Sequence, residues 1–156
     1  MQIKKTKLFF IALIALLVAG IGTRVYSHCQ IPCGIYDDPA RFKMIKEHID
    51  TIEKSMKQID QLSQSDRANI NQVVRWINNK ENHADELSEI ITHYFMAQRV
   101  KPVNAESDVY PKYIKQLTLL HEMLVTSMKC KQTTDLQYVE KLRELLKEFT
   151  EVYQKN

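Results

Sequence analysis

The sequence predicts an all-α protein, an up-down four-helix bundle preceded by a short non-helical segment. Three observations predict it. Apolar residues recur at helical spacing through most of the chain after residue 38. Glycine and proline, which interrupt helices, number only three and four in 156 residues. The stretches between the periodic segments are short, which brings successive helices back antiparallel. The length suits one domain, and 44% hydrophobic with 26% charged residues is the balance of a globular chain, not a disordered one.

The first helix starts at Asp38-Pro39, an acidic cap with proline in the first turn. Phe42, Ile45, Ile49, Ile52, Met56 and Ile59 follow a 3-4-3-4-3 spacing, the stripe of a helix facing a bundle core. The turn near Ser63-Gln64-Ser65 ends it. The second helix runs roughly from Asp66 to Ala97, with Ile70, Val73, Val74, Ile77, Leu87, Ile90, Ile91, Tyr94 and Phe95 as apolar positions. Its polar middle, Asn78 to Asp85, predicts a kink or break. Arg99 to Asp108, with Pro102 and Asn104, reads as a loop. The third helix follows Pro111 and carries Tyr113, Ile114, Leu117, Leu120, Leu124 and Met128. The fourth begins at Thr134-Asp135, where Thr134 and Gln137 fit a capping box. It carries Leu136, Val139, Leu142, Leu145, Leu146, Phe149, Val152 and Tyr153.

The first 27 residues are a different object. Lys4, Lys5 and Lys7 precede an apolar run from Leu8 to Ile21, and Val25 and Ser27 fit the −3 and −1 positions of a signal-peptidase site. The run falls short of the roughly 20 apolar residues of a membrane span. Residues 1–27 therefore read as a cleaved signal peptide, with export to the periplasm or medium and no stable membrane anchor. An uncleaved anchor is the competing reading. The leader holds four basic residues, Lys4, Lys5, Lys7 and Arg24, and no acidic one. Without it the formal net charge of +3 is gone and the chain is about neutral, which removes any case for nucleic-acid binding.

Cleavage after Ser27 makes His28 the first residue of a dense segment, His28-Cys29-Gln30-Ile31-Pro32-Cys33-Gly34-Ile35-Tyr36. The freed amine of His28 has a pKa near ~8 and can lose its proton to a metal. The amide nitrogen of Cys29 lies one chelate ring away, and its sulfur another. With the Cys33 thiolate these give two nitrogens and two sulfurs able to share a plane. That arrangement suits nickel(II) or copper(II) and not zinc, which prefers a tetrahedron. The His28 imidazole can reach over the plane as an axial donor. Pro32 pre-sets a bend, Gly34 permits a backbone angle that other residues resist, and Tyr36 would sit over the open face. Thiolates and a deprotonated amide are electron-rich donors that favour the higher oxidation state.

This stretch resembles the hook of the nickel superoxide dismutases, H-C-x-x-P-C-G-x-Y at the mature N-terminus. His28, Cys29, Pro32, Cys33, Gly34 and Tyr36 meet every fixed position. The resemblance implies a hook over residues 28–36, a four-helix bundle over 37–156 and one nickel ion per chain. It also implies disproportionation of superoxide by nickel(II)/nickel(III) cycling. His28 would give its amine and axial imidazole, Cys29 its amide nitrogen and thiolate, and Cys33 the second thiolate. Tyr36 would screen the substrate's approach. A homohexamer of bundles is implied too. The family orients its axial imidazole with a carboxylate–arginine pair; Arg41, Glu47, Arg75, Glu81 and His83 lie near the expected regions, and the Tyr94-Phe95 segment looks like one beside the hook.

Other readings stay open on the sequence. Export favours oxidation, so Cys29 and Cys33 could close a plain disulfide. A non-catalytic metal-binding or copper-delivery module is the second alternative. Cys130, the odd cysteine, reads as a buried thiol. His48, His83, His93 and His121 are scattered, without the paired Glu and His pattern of a di-iron bundle. Each reads as a solvated or hydrogen-bonded structural side chain.

Overall fold

The computed structural model describes residues 31–64 and 69–155. Among these there are four α-helices and no strand: α1 (Asp38–Ser63), α2 (Ile70–Glu89), α3 (Tyr110–Gln132) and α4 (Gln137–Gln154). A π-helical segment, Ile90–Arg99, continues α2 without a break. Each helix packs against its sequence neighbours, and α4 closes the ring on α1, the neighbour order of an up-down bundle.

The α1 stripe is core as the spacing predicts: Ile45, Ile49, Ile52 and Met56 are fully buried. Its cap is one residue earlier than expected. Asp37, not Asp38, accepts the bond from Ala40 N–H at 3.0 Å, which leaves the Asp38 carboxylate for another use. In α4, Val139, Leu142, Leu145 and Phe149 are buried as the periodicity requires. The Thr134 capping box does not form. The helix starts at Gln137, and Asp135 accepts from the Gln137 N–H at 3.0 Å instead.

Two departures concern α2 and α3. The polar middle of α2 neither kinks nor breaks, because its side chains are satisfied by neighbouring helices. Asn79 donates to Ser55 Oγ at 2.9 Å. The buried Lys80 ammonium donates to the carbonyls of Lys131 (2.6 Å) and Thr133 (3.1 Å), orphan acceptors at the end of α3. Conversely Ile70, Val74 and Ile77 are exposed, not core. In α3 the buried face is Leu119, Leu120, Met123, Thr126, Ser127 and Cys130, rotated from the expected stripe, so that Ile114 and Met128 face outward. The cause is close approach to α2: Ser127 Oγ donates to the Ala84 carbonyl at 3.0 Å, a contact that a larger side chain would prevent. Burial raises the Cys130 thiol to about 11.

Candidate metal hook and its aromatic platform

Residues 32–35 form a turn, closed by the bond from Ile35 N–H to the Pro32 carbonyl at 2.7 Å. Cys33 and Gly34 are its central residues. Gly34 has φ +82°, the left-handed value that the third position of a type II turn demands. The Cys33 side chain is exposed on this turn. His28 and Cys29, the other sequence-predicted metal ligands, lie outside the described residues.

Tyr36 follows the turn and rests on an ordered platform. Its ring meets Tyr94 edge-on, centroids 5.9 Å apart, and the Arg99 guanidinium lies 4.5 Å from its centre. Tyr94 in turn packs edge-on against the fully buried Phe95 at 5.0 Å, and Phe95 against Phe149 at 5.1 Å. A continuous series of aromatic contacts therefore ties the exposed Tyr36 to the bundle core.

Asp38 organises this platform. Arg99 donates to it through Nε (2.8 Å, to Oδ1) and Nη2 (2.7 Å, to Oδ2), a bidentate pair. The hydroxyls of Tyr94 (2.6 Å) and Tyr153 (2.8 Å) donate to the same carboxylate. Burial alone would raise the Asp38 carboxyl, but the bonds from Arg99, Tyr94 and Tyr153 outweigh it and hold it below its usual value. Burial, and then the bond to Asp38, push the Tyr94 phenol up to about 12. Tyr153 is raised for the same reasons.

The π-helical segment explains how Tyr94 and Arg99 reach one carboxylate. In an α-helix, residues five apart point about 140° away from each other. Here the backbone bonds to the fifth residue, as in Val100 N–H to the Phe95 carbonyl at 2.8 Å, so each residue lies nearly over the one five before it. Tyr94 and Arg99 thus come to one face. Arg41 approaches the same group, with its guanidinium 5.0 Å from the Tyr94 ring centre and its buried Nε without a hydrogen-bond partner among the described residues.

A family model for nickel-containing superoxide dismutases matches residues 23–156. The chain belongs to that family. It is an oxidoreductase, a nickel superoxide dismutase, with nickel as its cofactor and superoxide as its substrate. No curated protein and no solved structure matches the chain. The exposed Cys33 side chain is accessible to an ion and would fit as an electron-rich thiolate donor, the kind that tunes a redox metal toward its higher oxidation state.

Beside Tyr36 the chain pairs a carboxylate, Asp38, with Arg99; the sequence offered Asp38 only as a helix cap and did not offer Arg99 for such a pair. Of the residues the sequence offered, Arg41 touches the platform. Glu47 pairs with Lys43 at 3.7 Å, Glu81 with Lys131 at 3.4 Å, and Arg75 lines a shallow surface pocket beside Trp76. The one available signal was the doubled Asp37-Asp38 before Pro39, since a helix start can use only one of them as its cap. Tyr94 lies beside Tyr36, as its likeness to a segment near the hook suggested. His93 and His121 are exposed, whereas His48 and His83 meet between α1 and α2.

Proposed function

We propose that this superoxide dismutase holds one nickel ion per chain in a hook made by His28, Cys29 and Cys33. The ligands are the His28 amine and imidazole, the Cys29 amide nitrogen and thiolate, and the Cys33 thiolate. The observation that carries the reading is the Pro32–Ile35 turn, which presents Cys33 to solvent immediately before the braced Tyr36. Bound there, nickel supplies the one-electron cycling between its +2 and +3 states that disproportionation needs.

The chain's own residues do the rest. The positive Arg41 draws the superoxide anion toward this end of the bundle, while the Arg99 charge is balanced by Asp38. Asp38 fixes Arg99, and Arg99 with Tyr94 fixes the Tyr36 ring. The Tyr36 hydroxyl orients superoxide or water and limits what else enters. Two superoxide ions and two protons give oxygen and hydrogen peroxide, and a hydroxyl so placed can hold a proton for the departing peroxide.

The same reading places the enzyme outside the cytoplasm, periplasmic or secreted. Signal cleavage after Ser27 frees the amine that the hook requires. The family match leaves residues 1–22 outside it, which supports a separate leader. Among the described residues no helix is long and apolar enough to cross a membrane. A homohexamer is part of the reading too, supported by the exposed stripe Ile70, Val74 and Ile77 on α2.

Intact mass with metal analysis of the exported protein tests the hook. A chain beginning at His28 with one nickel is expected. A chain beginning at Met1, or one two hydrogens light and metal-free, would overturn it in favour of an anchor or a disulfide.

A further inference from the structure

A second group of metal-ligating side chains lies away from the hook. His48 on α1 faces His83 on α2 with the two Nδ1 atoms 2.8 Å apart. Glu86, one turn after His83, places Oε2 3.4 Å from the His48 Nδ1 and 3.5 Å from the His83 Nδ1. His48 is ten residues beyond Asp38, about 15 Å along α1. The group is therefore distinct from the Tyr36 platform.

We infer that His48, His83 and Glu86 form a second metal site, for a divalent transition metal ion, with zinc(II) as the best fit. Two imidazoles and one carboxylate, with a fourth position left for water, are a set that zinc accepts in tetrahedral geometry. Ligand atoms about 2.0–2.1 Å from one tetrahedral zinc stand roughly 3.3 Å from each other. The two distances to Glu86 already match that spacing. The imidazole nitrogens need to part by only about 0.5 Å. A hydrogen bond alone explains the pair of histidines less well. One proton between two nitrogens gives no reason for a carboxylate oxygen to stand equally far from both. Neither Tyr36 nor the hook takes part, so the inference is independent of the proposed nickel ligands. An ion here would clip α1 to α2 across the bundle, stabilising the folded state by binding it alone.

The test uses the mature, nickel-loaded dismutase, whose hook thiols are occupied. Zinc is added alone, and bound metal is counted after removal of loose ions, alongside the melting temperature. The expected result is one further zinc per chain and a higher melting temperature, with nickel content and dismutase activity unchanged. His83→Gln and Glu86→Gln should each lose at least tenfold in zinc affinity and most of the thermal shift. Cobalt(II) in place of zinc should give the visible bands of a tetrahedral site without thiolate charge transfer. Glu86 is exposed, so its variant keeps the fold intact while the site is weakened. No further zinc uptake, or equal uptake by wild type and both variants, overturns the inference and leaves the pair as a hydrogen bond.

Discussion

The Arg99 guanidinium lies over the Tyr36 ring, 4.5 Å from its centre, while its nitrogens grip both oxygens of Asp38. One side chain thus joins an exposed tyrosine to a carboxylate at the first turn of α1. Arg99→Lys keeps the charge but loses the planar fork and the stacking. The expected outcome is nickel content near that of wild type, a stability loss of about 1–3 kcal/mol, and kcat/KM for superoxide lower by roughly tenfold to a hundredfold. Pulsed superoxide decay, metal analysis and thermal melts measure the three. Unchanged kcat/KM would mean that Tyr36 needs no support.

The Asp38 cluster gives the fold a signed pH dependence. The Asp38 carboxyl is depressed in the folded state, so its contribution is present above the unfolded value of about 3.9 and is lost as pH falls through the folded one. Tyr94 runs the other way. Its folded value of about 12 exceeds the ordinary 10.0, so its contribution is whole below pH 10 and fades as pH rises toward 12. Tyr94→Phe should therefore show a shallower alkaline loss of stability than wild type in denaturant titrations between these limits. Equal slopes would remove Tyr94 from the account.

Within the hook, Cys33→Ser should abolish nickel binding and activity together. Gly34→Ala is the subtler probe. Among the described residues an added Cβ there meets nothing within 4 Å, so the obstacle they present is the positive φ, which costs a non-glycine residue about 1–2 kcal/mol. About tenfold weaker nickel binding is expected, with asparagine at this position milder than alanine. Competition against a chelator of known affinity reads both. Full affinity in Gly34→Ala would show that the bound chain uses a different turn.

A retained leader, or a single residue added before His28, should remove nickel binding, because the terminal amine is then locked in a peptide bond. His28→Ala keeps the amine and loses the imidazole. It is expected to lose activity while retaining measurable nickel. A chain with a blocked N-terminus and full nickel occupancy would contradict the ligand set.

The exposed stripe on α2 is open to a separate test. Val74→Glu places a charge among Ile70, Val74 and Ile77, where nothing in the bundle core is disturbed. The expected outcome is a smaller particle by light scattering with an unchanged helical signal. A particle of the same size would locate the subunit contact elsewhere.

The sequence was most legible where one physical requirement acted alone. Ile45, Ile49, Ile52 and Met56 had only to be apolar and evenly spaced, and they are core. The hook motif was legible because its unusual residues are consecutive. The face of α3 was not, since Thr126, Ser127 and Cys130 occupy core positions that a search for large apolar residues passes over. Exposed Ile70 and Val74 misled in the opposite sense, being apolar without being inside. Asp38 and Arg99 are 61 positions apart, and their meeting depends on a change of helical form that no local pattern announces. His48 and His83, 35 apart, came together through the pairing of α1 with α2, which acts on pairs of faces and not on single residues.

Cys130, sealed in the core with its thiol raised to about 11, bears on the enzyme's own product. Hydrogen peroxide attacks thiolates and largely spares thiols. At neutral pH Cys130 therefore stays in its thiol form. A dismutase that must work amid the oxidant it releases thus keeps this sulfur out of reach. Sulfur oxidation during turnover is therefore expected first at exposed sulfurs such as Cys33, Met44 and Met128, and not at Cys130.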